Sequence, residues 1–145
     1  MQRNKISIAK KTLDLLKNKS FNKITFLDVG VDKNNKQFKN KDDLLININR
    51  YFDYLLIKNM STLEESTKKD MLFEIYMARL DILNNHRSSI KNLMKYFLYK
   101  PQKLARLIPS FLETIILMAT NCKINIDGFS GIPKIKTMFI LYFLI

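Results

Sequence analysis

The sequence predicts an all-α protein, a helical bundle, from three observations. Glycine and proline, the residues that break helices, number 3 each among 145 residues, while hydrophobic residues make up 47%. Apolar residues recur at helical spacing over most of the chain. Capping signals stand at the start of two of these periodic segments. Scarce helix breakers and long periodic runs are typical of helices that pack on helices.

The N-terminal third begins with a predicted helix over about residues 4–18, where the apolar residues share one helical face. Thr25 is expected to cap a short turn that ends at Gly30, because glycine enters the left-handed conformation at little cost. Residues 31–39 are almost entirely polar. They offer no apolar face on which a helix could pack, so we expect a loop or a single turn there.

Two long helices follow, each with its own start signal. Asn40 and Asp43 resemble a capping box that opens a helix lasting to about residue 59. Thr67 and Asp70 have the same spacing at the start of the next helix. That next helix is apolar on nearly all sides, and we expect it at the centre of the bundle.

Prolines mark the later helices. Pro101 suits the first turn of a helix, Pro109 divides or kinks that helix, and Pro133 is expected to open the last one. Ser88 or Ser89 is a candidate cap for the helix that precedes Pro101.

The charge of the chain is unevenly distributed. The net charge is +12, although a sequence this rich in Lys, Asn and Ile carries lysines everywhere. Residues 1–41 contain eleven basic and three acidic residues, residues 42–86 are slightly acidic, and residues 87–106 contain six basic residues and no acid. Two basic blocks around an acidic middle favour anionic partners, either nucleic acid or a lipid surface.

Enzymatic chemistry has little support in the sequence. Cys122 is the only cysteine and His86 the only histidine, so an internal disulfide and a four-cysteine zinc site are excluded. No glycine-rich phosphate loop or nucleophile elbow occurs. We expect a protein that is not an enzyme and has no metal or cofactor.

The sequence also predicts a cytoplasmic location. The N-terminus leads into an amphipathic helix rather than the apolar core of a signal peptide. The longest apolar stretches, residues 115–119 and 139–145, are shorter than the roughly 20 residues that span a bilayer. We therefore expect no transmembrane segment.

Four segments together carry a family resemblance. Residues 21–25 read Phe-Asn-Lys-Ile-Thr and residues 38–45 read Phe-Lys-Asn-Lys-Asp-Asp-Leu-Leu. Residues 71–87 form a long apolar helix that runs into His-Arg, and residues 125–131 read Asn-Ile-Asp-Gly-Phe-Ser-Gly. In this order the segments resemble the TetR-type transcriptional regulators, the last two resembling one bacterial branch of them.

The resemblance implies two regions. Residues 1–59 would be a DNA-binding unit derived from a helix-turn-helix, and residues 60–145 a bundle that binds a ligand and forms a homodimer through its C-terminal helices. Phe38 follows Thr25 by only 13 positions, roughly six fewer than a packed recognition helix requires in that family. The unit is therefore short and degenerate, and the last helix is expected to stop before its polar end.

The DNA-facing positions of the family fall in a polar segment of this chain. Lysines there would neutralise phosphates without reading sequence, whereas amides would contact bases only if a rigid helix held them. A solvated lysine loop is the alternative. The candidate DNA-binding residues are Lys33, Asn34, Lys36, Gln37, Lys39 and Lys41.

Two further candidate sites lie in the C-terminal region. An apolar ligand pocket, with plain core packing as the alternative, would be lined by Met71, Ile75, Met94, Phe97, Phe111, Ile115 and Met118. A surface for anionic lipid headgroups, with an ordinary solvated helix face as the alternative, would consist of Arg87, Lys91 and Lys95.

Three functions remain open on these grounds. The first is a TetR-like transcriptional regulator, or a descendant in which DNA binding has weakened or been lost. The second is an accessory protein that binds a lipid or quinone, since lipid-binding proteins of ubiquinone synthesis are a second resemblance. The third is a non-functional remnant. The expected partners are accordingly DNA, a small apolar ligand or lipid, and a second copy of the chain.

Overall fold

Helices account for all the regular secondary structure in residues 1–60 and 67–144, the parts of the chain that the computed structural model describes. The all-α prediction is thereby confirmed, and no strand occurs within these two ranges. The α-helices are α1 (Arg3–Leu16), α2 (Asp42–Met60), α3 (Lys68–Asn85), α4 (Arg87–Tyr99), α5 (Pro101–Arg106), α6 (Ile108–Asn121) and α7 (Gly131–Leu144), and a single 3-10 turn covers Phe21–Lys23.

The predicted capping box of Asn40 and Asp43 forms, and Thr67 caps the next helix as predicted. The Asp43 amide donates to Asn40 Oδ1 over 3.2 Å, and the Asn40 amide donates back to Asp43 Oδ2 over 2.9 Å. At the start of α3 the Asp70 amide donates to Thr67 Oγ1 over 3.3 Å. These bonds satisfy amides that the first helical turn leaves without partners, which confirms both predicted helix starts.

The centre of the bundle is α2, whereas the sequence pattern placed the following helix there. Ten of the 19 residues of α2 are buried, against four of 18 in α3. Apolar residues on every side of α3 leave Phe73 and Met77 exposed to solvent. The predicted position of α3 is therefore wrong, because an all-round apolar helix has no single face that defines which neighbour covers it.

Helix α1 is fixed to α4 by side-chain hydrogen bonds as well as by packing. The Ser89 hydroxyl donates to the Leu13 carbonyl oxygen over 2.6 Å, and Asn92 Nδ2 donates to the Leu16 carbonyl oxygen over 2.7 Å. Two of the last carbonyls of α1, which lack helical partners, are satisfied in this way. Ser89 is thus a bridge between helices. The predicted cap of α4 at Ser88 or Ser89 is wrong, because the residue before the first turn is His86 and no side chain caps the helix there.

Helix α5 is tied to the start of α2 by one carboxylate. Asp42 accepts hydrogen bonds from Lys103 Nζ at 2.9 Å and from Arg106 Nη1 at 2.8 Å. Burial by itself would raise the pKa of Asp42, but these bonds and the two positive charges hold it below its usual value. As predicted, Pro101 begins α5, and Pro109 stands in the first turn of α6 after a break at Leu107.

Residues 101–121 were not expected to resemble a membrane span, yet by length and composition alone they do. An 18-residue window within this segment has a mean hydropathy of 1.2, and it is the one such stretch in the described chain. The stretch comprises two helices, α5 and α6, and the side chains of Ser110 and Thr114 hydrogen-bond to residues of α2. A core helix of a bundle passes the same test, so this segment is weak evidence for a span.

Helix α7 packs against α6 and is anchored on α3 by one buried hydroxyl. Tyr76 donates its phenolic hydrogen to the Met138 carbonyl oxygen over 2.7 Å, and burial raises the pKa of Tyr76 to about 12. The outer surfaces of α6 and α7 carry exposed apolar side chains, namely Ile108, Leu112, Ile116, Ile132, Ile140 and Leu141. These are the helices of the predicted homodimer, which stays a prediction.

Replacing Gly131 by alanine is expected to destabilise the protein by about 1–3 kcal/mol, as overpacking against backbone does. A methyl group there would lie 1.7 Å from the Ile126 carbonyl oxygen, so the loop before α7 would have to move. Urea unfolding followed by circular dichroism measures the difference. Gly128→Asn is the control, because Gly128 has φ +70, a conformation that asparagine tolerates, with no atom within 4 Å of the added carbon. Equal stabilities of the two variants would contradict this account of α7 docking.

Candidate functional site

A pocket of about 210 Å³ lies inside the bundle, with walls from α2 through α7. Of its fifteen lining residues all but Asn49 and Arg79 are apolar or aromatic. Such a wall favours an apolar occupant, because water gains too few hydrogen bonds there. The lining residues are Leu45, Ile48, Asn49, Phe52, Arg79, Leu83, Ile90, Leu93, Met94, Phe97, Leu104, Leu107, Phe111, Tyr142 and Phe143.

The pocket opens to the surface between α4 and α7. Met94 on α4 and Phe143 on α7 both line the pocket, yet 51% and 50% of their surfaces are exposed. Leu93 and Leu107, which also line it, are buried. The two half-exposed side chains therefore form the rim, and the others form the interior.

A fully buried arginine forms part of the pocket wall. The side chain of Arg79 is 2% exposed, and its Nη1 donates to Asp53 Oδ1 over 2.9 Å. Its Nη2 donates to Asn49 Oδ1 over 2.7 Å, and its Nε donates to the Tyr142 hydroxyl over 3.2 Å. The guanidinium carbon also lies 5.6 Å from the ring centre of Phe52. The positive charge is thus balanced and hydrogen-bonded by the protein itself.

The carboxylate of this ion pair has a second set of partners on α6. The Thr114 hydroxyl lies 3.0 Å from each carboxylate oxygen of Asp53, to which it donates. Asn49 Nδ2 donates to Thr114 Oγ1 and to Ser110 Oγ, each over 2.9 Å. Burial raises the pKa of Asp53, while the charge of Arg79 and the hydrogen bond from Thr114 oppose that rise.

The polar network is complete without a ligand. In the described chain no buried side-chain nitrogen or oxygen atom lacks a hydrogen-bond partner. The buried polar side chains of the pocket therefore offer a ligand no unsatisfied hydrogen-bond donor or acceptor. A charged or strongly polar ligand would lose its hydration without compensation. The arrangement selects for uncharged apolar molecules.

A second cleft, of about 350 Å³, lies on the opposite side of α4 and has a different character. Its lining includes Asn18, Lys19, Asn92, Lys95 and Tyr99. Tyr96 and Tyr99 also line this larger cleft, so it presents both apolar surface and amide and ammonium groups.

The chain matches no protein-family model, no curated protein and no solved structure. The resemblance to TetR-type regulators therefore stays a prediction from the sequence.

The segment that carries the predicted DNA-binding residues forms no helix between residues 31 and 41. Lys33, Asn34, Lys36, Gln37 and Lys39 are exposed. They stand on a loop that is held at its ends by the buried side chains of Val31 and Phe38.

Lys41 differs from the other predicted DNA-binding residues because the protein itself engages it. Its Nζ donates to the Asn22 carbonyl oxygen over 2.9 Å and lies 5.0 Å from the ring centre of Phe21. Burial lowers the pKa of Lys41, and the nearby charge of Lys100 lowers it further. Any phosphate contact in this region therefore depends on Lys33, Lys36 and Lys39.

The predicted pocket residues are divided between the pocket and the rest of the core. Met94, Phe97 and Phe111 line the pocket. The other four do not: Ile75, Ile115 and Met118 are fully buried elsewhere, and Met71 is partly buried against the same core.

The buried ion pair was not predicted from the sequence. One signal was available, because Arg79 is the one basic residue in the predominantly apolar segment 71–83. A second signal was the placement of polar residues one helical turn apart on an apolar face, Asn49 with Asp53 on α2 and Ser110 with Thr114 on α6. Polar residues in such positions are buried only when they are paired.

The predicted headgroup-binding residues Arg87, Lys91 and Lys95 are exposed on α4. No ion pair involves any of the three in the described parts of the chain. Within residues 1–60 and 67–144 no group of three His, Cys, Asp or Glu side chains could hold a metal ion. Cys122 is buried, and burial raises its pKa to about 11, so its thiol is unreactive at neutral pH.

Replacing Asp53 by alanine is expected to lower the free energy of unfolding by about 3–5 kcal/mol, because it leaves the charge of Arg79 buried and unpaired. Chemical denaturation measures the loss. Glu113→Ala is the matched control, since Glu113 pairs with Arg50 at 3.5 Å and both side chains are more than half exposed. Its loss should stay below about 1 kcal/mol. Similar losses in the two variants would show that the buried pair has no special role.

Proposed function

We propose that the chain binds a small, uncharged apolar molecule in the pocket between α4 and α7. The observation that carries the proposal is an apolar wall whose polar members, Arg79 and Asn49, are already paired within the protein. A ligand there gains from burying its apolar surface and makes no demand on the polar network.

The size of the pocket limits the ligand. An engineered apolar cavity of about 150 Å³ takes up benzene or xenon. At about 210 Å³ this pocket is somewhat larger, and it is also open at its rim. We therefore propose an aromatic molecule of one or two fused rings, or one end of a longer apolar molecule whose remainder leaves through the mouth.

Ligand binding of this kind supports both functions that the resemblance implies. In a regulator the pocket would bind an effector, and in a carrier it would hold the ring or the chain of a lipid or quinone. The two differ in whether the N-terminal region binds DNA.

Indole and naphthalene are expected to bind the protein and to raise its melting temperature, as any ligand of the native state does. Met94→Trp should weaken binding by about tenfold or more, because the larger ring fills the mouth. Calorimetric titration measures the affinity. Leu98→Trp is the matched control, since Leu98 lies one turn further along α4, outside the pocket lining and 78% exposed. The proposal would be contradicted if both variants weakened ligand binding equally, or if neither indole nor naphthalene bound the wild-type protein.

Duplex DNA binding through the N-terminal lysines is a second proposal. It is supported by the exposure of Lys33, Lys36 and Lys39, none of which has an ion pair in the described chain. Because these side chains stand on a loop and not on a helix, we propose contacts to phosphates without reading of base sequence.

Binding to random duplex DNA and to the DNA upstream of the gene is expected to be equally tight and to fall steeply with salt. Lys33→Glu combined with Lys36→Glu should reduce the salt dependence by about two counterions. A filter-binding or anisotropy titration at several salt concentrations measures this. The control is Lys68→Glu with Lys69→Glu, two exposed lysines on α3. If the loop variant binds as the wild type does, the loop is not the DNA contact.

A further inference from the structure

The outward side of α4 combines positive charge with exposed apolar groups. Arg87, Lys91 and Lys95 follow one another at intervals of one helical turn and are exposed. Beside them Leu98 and Tyr99 are 78% and 87% exposed. We refer to these five side chains as the α4 face.

The rest of the basic block does not contribute to the α4 face. Lys103 and Arg106 are bound to Asp42, and Lys100 donates to Asn22 Oδ1 over 3.1 Å. Half of the block's cations are thus hydrogen-bonded within the protein, although Asn22 is neutral and Asp42 balances only one of two charges. The other three cations, Arg87, Lys91 and Lys95, are exposed on one side of α4.

We propose that the α4 face docks on the surface of an anionic lipid bilayer. Cations near such a surface gain from its negative potential, while leucine and tyrosine side chains enter the boundary between headgroups and acyl chains. The aliphatic stems of lysine and arginine allow the charge to stay at headgroup level while the neighbouring apolar groups go deeper. In this arrangement the cations contact the lipid headgroups, and the apolar side chains are removed from water.

Other occupants fit the α4 face less well. A second copy of the chain, docked through the same face, would bring three positive charges against three. The phosphate backbone of nucleic acid offers cations a partner but leaves Leu98 and Tyr99 against a charged, hydrated surface. A bilayer surface accommodates both kinds of side chain.

The openings on the two sides of α4 agree with this orientation. On one side Met94, half exposed, forms the rim of the apolar pocket. On the other side the second cleft includes Lys19, Lys95 and Tyr99 and has room for a headgroup. A bilayer against α4 would thus face the mouth of the pocket, and the apolar ligand would pass from membrane to pocket without crossing water. This last step rests on the proposed ligand binding, whereas the docking itself does not.

Flotation with lipid vesicles tests the docking. The full chain is mixed with vesicles of phosphatidylcholine alone or of equal parts phosphatidylcholine and phosphatidylglycerol. We expect binding to the anionic vesicles only. Replacing Arg87, Lys91 and Lys95 together by glutamate should weaken it by at least about a hundredfold, at roughly fivefold for each of the three cations removed, and the added carboxylates repel the anionic surface further. Equal binding to both kinds of vesicle, or no binding to either, overturns the proposal.

The matched control carries the same charge change elsewhere. Lys33, Lys36 and Lys39 are replaced together by glutamate in the N-terminal loop, and vesicle binding is expected to remain close to that of the wild type. If the two triple variants lose binding equally, the net charge and not the α4 face is responsible. If the α4 variant still binds vesicles but no longer binds duplex DNA, the α4 face is a nucleic-acid contact and the docking proposal is overturned. Glutamine in place of glutamate serves where a variant fails to give the helical circular dichroism of the wild type.

A tryptophan reporter tests the apolar half of the α4 face. The natural chain contains no tryptophan, so Tyr99→Trp gives a single emission to follow. We expect a blue shift on adding anionic vesicles, and an unshifted spectrum from bound protein would contradict insertion. Indole binding measured without vesicles tests ligand binding by the pocket alone. A failure of membrane docking can therefore be told apart from a failure of ligand binding.

Discussion

The buried ion pair between Arg79 and Asp53 is the constraint on which the arrangement of the bundle depends. A guanidinium that is 2% exposed is tolerable only while each partner stays in place, since an unpaired charge at that depth is strongly unfavourable. Those partners come from α2 and α7, and Thr114 of α6 donates to the Asp53 carboxylate, so the ion pair and its hydrogen bonds fix four helices relative to one another. The pocket is the space that remains beside this fixed centre.

The sequence predicted well those features whose causes are local. The capping box of Asn40 and Asp43, the helix start at Pro101 and the irregular segment 31–39 all depend on contacts within about four residues, and the structure confirms them. The partners of Arg79 lie 26, 30 and 63 residues away along the chain. No periodic pattern specifies partners at such distances, and so the centre of the bundle was placed wrongly on α3.

The candidate sites were predictable only in part, and for related reasons. Phe97 and Ile115 are both apolar and helical, yet only Phe97 lines the pocket, because the difference lies in how neighbouring helices pack. Charge counting along the chain also overstated the basic surface, since Asp42, about sixty residues distant, takes up Lys103 and Arg106.

The bridge from Ser89 and Asn92 to the last turn of α1 has a mechanical consequence. Helix α4 supplies one wall of the pocket, and its side chains hold two carbonyls of α1 at hydrogen-bond distance. Any displacement of α4 that accompanies filling of the pocket must therefore move α1 with it or break both bonds. A movement of α4 on ligand binding would thus be transmitted to α1, at the N-terminal surface, through these two hydrogen bonds. No hinge between the two halves of the chain would be needed.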